Sequence, residues 1–416
     1  MSNVNVAPKV KFSSYQVLVI ILLALTQFTV VLDFMVMSPL GDMLMKSMDL
    51  TTSQFGFAVS AYAFSAGVSG LLTAGFADRF DRKKLLLFFY VGFIGGTLFC
   101  NLANSYPLLI AARIITGLFG GVIGSISLAI VADLFALEQR GRAMGFMQMG
   151  FGASQVLGIP ISLYIANHWG WQSPFLMIVC LATIIWLILI FKLQPITKHL
   201  ALKSEKTAIT HLWHTIRLRD YRIGFLTTAL MSLGGFMMMP WGSAFAVNNL
   251  DVSYARLPIL FMVGGVASLV IMPLVGKLSD RVDKFKIFTI AAVWMMVVVV
   301  IYTNLVPVHF AIIIIMNILM MIGIMSRMVP AMALVSALPQ MQDRGAFMSI
   351  NSSLQQIAGG IAAAIGGMIV VQKTKTSPLQ HYDTLGYVIV GIIILNIIMF
   401  YRVSKIIKAR KHVAKL

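Results

Sequence analysis

Residues Asp78–Lys84 read DRFDRKK, and residues Asp280–Lys286, in the other half of the chain, read DRVDKFK. The same separation in sequence relates DFMVM at Asp33–Met37 to GFMMM at Gly235–Met239, and a proline follows each of these stretches. The chain therefore carries an internal duplication. The duplication is incomplete at one chemically important point, because the acid that opens the first of these stretches is a glycine in the second.

The composition indicates a membrane protein. Hydrophobic residues make up 59% of the 416 residues and charged residues 11%, whereas a soluble domain carries about 25% charge. The apolar runs are continuous rather than alternating, which indicates helices and not the strands of a membrane barrel. The net charge of +18 would suit a nucleic-acid partner, but the bases lie in the loops of one membrane side, so we expect no nucleic acid.

Twelve apolar runs approach the length of about 20 residues that a spanning helix needs. The predicted helices are 16–39, 54–77, 85–104, 107–132, 143–166, 173–193, 223–248, 257–278, 287–306, 309–335, 345–371 and 385–403. A polar, basic segment at 194–222 separates an N-terminal six-helix bundle at 1–193 from a C-terminal six-helix bundle with a basic tail at 223–416. Six plus six helices in parallel repeat are typical of transporters that rock one half against the other around a midplane site.

The distribution of Lys and Arg predicts the orientation. With the N-terminus in the cytoplasm, most bases fall in inner loops, and the outer loops hold only Lys46, Arg256, Lys373 and Lys375. By the positive-inside rule, both termini are then cytoplasmic. We expect an integral protein of the plasma (bacterial inner) membrane, whose basic tail at 402–416 contacts anionic lipid headgroups.

Asp33 is the only acid deep within any of the apolar runs, where a carboxylate costs about 2.5–3.5 kcal/mol on insertion scales. At 1.5 Å per residue, Asp33 and Arg113 lie roughly 10 Å and 9 Å below the same membrane surface. A pair of these two charges, direct or through water, is therefore predicted. It could handle protons, form a fixed bridge between two helices, or leave Asp33 to bind a cationic substrate.

The loops that contain the repeated stretches resemble a family motif. Gly276–Arg281 reads GKLSDR and Ala74–Lys83 reads AGFADRFDRK, and both resemble the motif G-x-L-x-D-R-x-G-R-R of the major facilitator superfamily. The N-terminal copy has Ala74 and Asp81 where the motif has glycine. The resemblance covers residues 15–405 and implies the superfamily's fold, an all-α polytopic membrane protein with twelve transmembrane helices in two six-helix bundles related by a pseudo-twofold axis.

The resemblance also implies a cytoplasmic gate in these loops. In the superfamily the aspartate that corresponds to Asp78 faces the N-terminal end of helix 11, where the helix dipole favours an anion. Arg79 and Arg82 could pair with Asp133 or Glu138, although these charges could also serve only to fix the topology. The predicted gating residues are Asp78, Arg79, Arg82, Asp133, Arg140, Asp280 and Arg281.

Further motifs resemble the twelve-helix drug:proton antiporter and sugar-efflux group. Arg113 and Gly117 match the R-x-x-x-G pattern of its helix 4, and WGWQSPF at Trp169–Phe175 resembles its outer loop 5–6. In this group helices 1 and 4 face the central cavity, which implies that Asp33 and Arg113 are proton-coupling residues. The antiporter motif of helix 5, G-x8-G-x3-G-P-x3-G-G, is matched only in part, at Gly150, Gly158 and Pro160.

Arg327 is a second charge within an apolar run, and no acid lies at matching depth. It could bind an anionic group of a substrate or cap backbone carbonyls near a kink expected at Pro330. The seventh and tenth segments are rich in methionine, which adapts to varied apolar ligands but also packs in cores. The predicted substrate-binding residues are Arg327, Trp241, Met237, Met320, Gln148, Gln155, Asn351 and Gln355.

The sequence thus predicts a secondary active transporter that exports small amphipathic molecules or drugs in exchange for protons by alternating access. The alternative is a proton-coupled symporter that imports a small organic anion or sugar, which Arg327 and the incomplete helix 5 motif favour.

An enzyme or receptor is not supported, because there is no nucleophile–base arrangement and no sizeable soluble domain. A phosphate-binding glycine loop is missing, which argues against ATP drive. We expect no cofactor or metal, and a monomer whose partners are a small-molecule substrate, protons and membrane lipids.

Overall fold

The computed structural model describes residues 11–74, 77–197, 200, 208–340 and 343–413, and these residues form sixteen α-helices. The first half contains α1 (Ser14–Val36), α2 (Gly41–Met48), α3 (Thr52–Ala74), α4 (Arg82–Leu102), α5 (Tyr106–Leu134), α6 (Leu137–Ala153), α7 (Ile159–Trp169) and α8 (Ser173–Lys192). The second half contains α9 (Ala208–Arg217), α10 (Arg219–Phe236), α11 (Gly242–Asn248), α12 (Leu257–Arg281), α13 (Lys284–Thr303), α14 (Phe310–Ser336), α15 (Arg344–Ile369) and α16 (Tyr382–Val413).

Two pairs of these helices act as single rods. A π-helical turn at Ser154–Gly158 joins α6 to α7, and a 3-10 turn at Met239–Trp241 follows α10 and leads into α11. Counting each rod once, eleven helices among the described residues are long and apolar enough to cross a membrane. A twelfth long helix, α15, falls outside this count because it is less apolar: its 26 residues include many Gly, Ala, Ser and Gln. The prediction of an all-α polytopic fold is thus confirmed.

Local sequence signals fix where the helices begin. Ser13 and Gln16 form a capping box at the start of α1, in which each side chain accepts a hydrogen bond from the other residue's backbone N–H. Asp81 caps α4 by accepting from the Lys83 N–H at 2.9 Å, and its repeat partner Asp283 caps α13 in the same way. A carboxylate at this position satisfies backbone donors that have no partner inside the helix.

The two halves meet along two helix pairs, α3 with α15 and the α6–α7 rod with α12. The α3–α15 contact is close because its residues are small. A Cβ atom added to Gly56 would lie 2.7 Å from the Ala363 carbonyl oxygen, so the backbones approach more closely than larger side chains permit.

We name the ends of the bundle after the predicted orientation: the inner end holds Ser14 and the outer end holds α2 and α11. Polar contacts that join the halves cluster at the outer end. Ser38 donates to the Met239 carbonyl, Ser243 donates to the Ser38 carbonyl at 2.8 Å, and Thr52 donates to the Val370 carbonyl at 2.7 Å. The outer end is therefore closed in this conformation.

The structure corrects several predicted boundaries. The first helix ends at Val36 rather than 39, because the chain turns at 37–40 into α2, which was not predicted. The segment at 194–222 contains α9 and the start of α10, and α16 continues past 403 to Val413. α14 is one helix with Pro330 inside it, and the kink at Pro330 stays a prediction.

Candidate functional site

The first candidate site lies where α1, α4 and α5 meet in the N-terminal half. Asp33 and Arg113 are both completely buried, and Arg113 Nη1 donates to Asp33 Oδ2 at 2.9 Å. Thr97 of α4 donates its hydroxyl to the other carboxylate oxygen, Asp33 Oδ1, at 3.1 Å. Because α1 ends at Val36, Asp33 lies within the last turn of that helix.

An aromatic residue completes this site. The Arg113 guanidinium lies over the ring of Tyr62 on α3, 4.6 Å from its centroid. Such a contact attracts the cation through the ring quadrupole. The close approach of α5 to α3 makes it geometrically accessible, because Gly117, one turn after Arg113, lies directly against the backbone of Tyr62.

The charges at this site balance each other, but the hydrogen bonds do not. Within the described residues, Arg113 Nε and Nη2 are buried without a hydrogen-bond partner. The guanidinium therefore retains donors for a second acceptor. Removing one member of a buried pair leaves an uncompensated charge and lowers stability by about 3–5 kcal/mol. The stability of this site therefore depends strongly on the charge state of Asp33.

The site touches the seam between the halves through the residue next to Asp33. The ring of Phe34 contacts Tyr62 at 5.2 Å between centroids and Phe236 of α10 at 5.9 Å. A continuous set of ring and cation contacts thus leads from α10, in the second half, to the Asp33–Arg113 pair. By contrast, Gly235, the repeat partner of Asp33, has open space where a side chain would point.

The predicted gating residues lie at the inner end. Arg82, almost fully buried, donates through Nε to Asp133 at 3.2 Å and through Nη1 to the Ala77 carbonyl at 3.1 Å. The structure therefore brings Arg82 and Asp133 together. Arg140 donates to the Phe135 carbonyl at 3.1 Å instead, which satisfies a carbonyl at the end of α5.

The remaining predicted gating residues are Asp78, Arg79, Asp280 and Arg281. The side chains of Asp78 and Glu138 lie outside the described residues. Arg79, Asp280 and Arg281 are exposed. Asp280, the motif aspartate of the second half, is therefore exposed in this conformation. The residue that organises the loop is Asp283, which caps α13 and pairs with Lys408 at 2.8 Å.

The predicted substrate-binding residues are scattered over the structure. Trp241 is fully buried at the outer end, edge-on to Phe55 with ring centroids 5.5 Å apart. Met237, Met320 and Asn351 are buried, and Gln148 and Gln355 are exposed. Gln155 lies on the π-helical turn, with its Nε2 4.0 Å from Met35 Sδ.

Arg327 has an unusual environment among these residues. It is 5% exposed, its guanidinium lies 5.8 Å from the ring centroid of Phe288, and its Nε is buried without a hydrogen-bond partner in the described part of the chain. The Phe288 contact points it toward α13.

Sequence reasoning missed three residues: Thr97 and Tyr62 beside the Asp33–Arg113 pair, and Asp42 at the outer end. Thr97 and Tyr62 are ordinary-looking members of apolar runs, and only the packing of α3 and α4 against α1 and α5 brings them to Asp33 and Arg113. Asp42, on the unpredicted helix α2, is 1% exposed. One signal could have found it, the four-residue spacing of Asp42 and Lys46, which suits an ion pair on a helix.

Comparison with known proteins agrees with this architecture. The family model described as Major Facilitator Superfamily matches residues 23–363. The uncharacterized MFS-type transporter YbcL of Bacillus subtilis (strain 168) is 25% identical over 395 residues, which cover 92% of this chain and 95% of YbcL.

Two solved structures share the fold. A bacterial homolog of the human lysosomal transporter Spinster, in an inward-facing and unoccupied conformation, superposes with a TM-score of 0.77 and 13% identity, covering 96% of this chain and 99% of that one. A D-xylose–proton symporter superposes with a TM-score of 0.73 and 18% identity, covering 92% and 97% of the two chains. At these identities the likeness concerns the fold.

Proposed function

Since this chain belongs to the Major Facilitator Superfamily, we propose that it exports small amphipathic molecules in exchange for protons by alternating access. Members of this superfamily are transporters and not enzymes, so the chain is an integral membrane protein that moves small-molecule substrates. The observation that carries the proposal is the completely buried Asp33–Arg113 pair beside the seam between the halves.

The proton step follows from the competition between a proton and Arg113 for the same carboxylate. While Asp33 is ionised, it accepts from Arg113 and from Thr97. A proton on Asp33 replaces the guanidinium as its partner and frees Arg113 for another acceptor. Burial favours the neutral acid and a nearby cation favours the charged form, so a change in either one loads or releases the proton.

Rocking of the halves supplies that change. Phe34 follows Asp33 directly and contacts Phe236 of α10, so movement of the second half alters the position of α1 at the pair. In the proposed cycle, bundles 1–193 and 223–416 move as the two rigid halves and 194–222 connects them. Each proton that moves inward contributes about 2.3 kcal/mol per 100 mV of membrane potential.

The test uses purified protein in liposomes that contain a pH dye, with ethidium and neutral chloramphenicol as probes. Export by exchange predicts that acid outside accelerates loss of the preloaded probe and that probe movement carries protons the other way. Asp33→Asn is expected to retain movement of the probe down its own gradient but lose the response to pH. Asp251→Asn, an exposed acid between α11 and α12, is the matched control, and proton-driven transport at the wild-type rate in Asp33→Asn would contradict the proposal.

A second candidate function is proton-coupled import of a small organic anion or sugar. Arg327 favours it, because it is a buried cation with no acid partner in the described residues and could receive an anionic group. The same liposomes separate the two functions, since net entry of a probe driven by acid outside indicates import.

The proposed setting is the bacterial inner membrane, with both termini cytoplasmic, a monomeric chain and contacts between the basic tail and lipid headgroups. Labelling of single cysteines from outside intact cells tests the orientation. Ser105→Cys, which is exposed between α4 and α5, should react, and Arg402→Cys on α16 should not.

A further inference from the structure

The outer end of the molecule contains a second buried carboxylate with an unusually complete set of partners. Asp42, on α2, is 1% exposed. Its Oδ2 accepts from Lys46 Nζ at 2.9 Å and from the Tyr254 hydroxyl, and its Oδ1 accepts from Asn248 Nδ2 at 2.5 Å. We call Asp42, Lys46, Asn248 and Tyr254 the outer cluster.

The outer cluster joins the two halves of the chain. Asp42 and Lys46 belong to the first half, whereas Asn248 ends α11 and Tyr254 precedes α12 in the second. Lys46 Nζ also donates across the seam, to Asn248 Oδ1 at 3.0 Å and to the Tyr254 hydroxyl at 3.1 Å. In alternating access these bonds must break whenever the outer end opens, and all of them depend on Asp42 or on the lysine that it holds.

Asp42 is the acid of the outer cluster, and the groups around it are mainly hydrogen-bond donors and cations. Lys46 supplies one positive charge, and Tyr254 supplies a hydroxyl whose pKa is raised by burial and by its hydrogen bond to Asp42, so that it stays a donor. Lys375, which pairs with the exposed Asp49 at 3.0 Å, also donates to the Lys46 carbonyl at 3.4 Å, and Arg256, two residues after Tyr254, lies over Phe310. His168 lies beyond Tyr254, in a pocket of about 450 Å³ that both residues line.

We propose that Asp42 is a proton-binding latch: ionised, it holds the outer end closed, and protonated, it lets the outer end open. Protonation turns one carboxylate oxygen of Asp42 into a hydroxyl donor, so that oxygen no longer accepts freely from its partners, and it leaves Lys46 without its counter-ion. These losses fall on the closed state, because the open state does not make the bonds across the seam. Protons at the outer face therefore shift the population toward the open form.

The proposal rests on the alternating access proposed above, but it does not depend on Asp33 or on the direction of transport. Its competitor is a cluster that ties the outer end together regardless of pH. The two differ in whether the outer end responds to protons in the absence of any substrate, which can be measured without knowing what the protein carries.

The experiment measures the distance between spin labels at Ser105→Cys and Val306→Cys, which lie in equivalent outer loops of the two halves. Both positions are exposed, Val306 by 65%, and the exposed Cys180 is replaced by serine. The full chain is studied in lipid nanodiscs without substrate while the pH is lowered from about 8 to about 4. We expect a longer distance to grow in as the pH falls.

Asp42→Asn should raise the ratio of open to closed forms about tenfold or more at neutral pH, because a buried charged acceptor is lost, and it should abolish the pH response. Asp251→Asn, an exposed acid between α11 and α12, is the matched control, and its label-to-label distance should follow pH as in wild type. Tyr254→Phe, which removes one donor, should give an intermediate shift and serves if Asp42→Asn does not fold.

A closed population and pH response unchanged by Asp42→Asn and Tyr254→Phe would overturn the latch, as would a wild-type distance that stays fixed over the whole pH range. Asp33→Asn in the same labelled chain separates the two proposals. If the latch is correct, the distance in this variant still follows pH through Asp42, whether or not the Asp33 mechanism holds. A pH response that is lost in Asp33→Asn but kept in Asp42→Asn would overturn the latch.

Discussion

Phe34 and Phe236 occupy equivalent positions in the two repeats, and their rings contact each other across the seam, with centroids 5.9 Å apart and planes inclined at 56°. Each follows the position at which one repeat has an acid, Asp33, and the other has a glycine, Gly235. The contact therefore links the second half directly to the residue that follows the buried acid.

Replacing Phe34 with leucine is expected to lower the number of protons moved per ethidium molecule, because the contact that couples α10 to the pair is lost. An aromatic pair of this kind contributes about 0.5–1.5 kcal/mol beyond its buried area. Phe236→Leu should have a similar effect alone and little further effect in the Phe34→Leu background. Phe191→Leu, at a position 79% exposed on α8, is the control, and fully additive effects of the two substitutions would refute the link.

A double substitution distinguishes a proton site from a fixed bridge between α1 and α5. Arg113→Gln alone strands the Asp33 charge and should lower stability by about 3–5 kcal/mol. Asp33→Asn combined with Arg113→Gln should recover most of that stability, measured by thermal unfolding in detergent, without recovering proton-driven transport. Recovery of both properties would mean that the pair is only a bridge.

The pair itself could be predicted from sequence because depth along a helix follows from residue count. Asp33 and Arg113 are charges in long apolar runs, and 1.5 Å per residue brings them to one level. The duplicated loops likewise predicted two halves and the all-α fold, which needs only periodicity and length.

Contacts across the seam could not be predicted in this way. Asp42 reaches Asn248 and Tyr254 only because the halves are rotated so that the outer end is closed, and that rotation is not encoded in any local pattern. The helix α2 was missed because its eight residues are too few and too mixed to resemble a spanning segment. The positions of Trp241 and Arg327 depend on which face of a helix meets a neighbour, and this is set by packing in three dimensions.

The pair of Asp283 and Lys408 predicts a pH dependence at the inner end. The hydrogen bond from Lys408, with those from the Lys286 and Phe285 N–H groups, lowers the pKa of Asp283 below its usual 3.8. The stabilisation is therefore present at neutral pH and is lost as the pH falls below that value. Both side chains are more than a third exposed, so the ion pair contributes only about 0–1 kcal/mol.

The unfolding temperature of Lys408→Met should accordingly be slightly lower than that of wild type at neutral pH, and this difference should vanish in acid. Asp283→Ala should cost more, about 0.5–2 kcal/mol, because it also removes the cap of α13. A Lys408→Met deficit that grows as the pH falls has the wrong sign for this pair and would exclude it.

The close approach of α5 to α3, which places Tyr62 beneath Arg113, predicts opposite effects for two glycine-to-alanine substitutions. A Cβ atom on Gly121 would lie 2.5 Å from the Cβ and 2.6 Å from the Cα of Ala66, so the helices must separate. Such overpacking costs about 1–3 kcal/mol of stability.

Gly95 on α4 has no atom within 4 Å of the added Cβ, so alanine there gains only the helix propensity of about 0.8–1 kcal/mol. Gly121→Ala should therefore lower the unfolding temperature and weaken proton coupling while Gly95→Ala raises the unfolding temperature. A rise of the same size in both variants would show that α3 and α5 do not pack this closely.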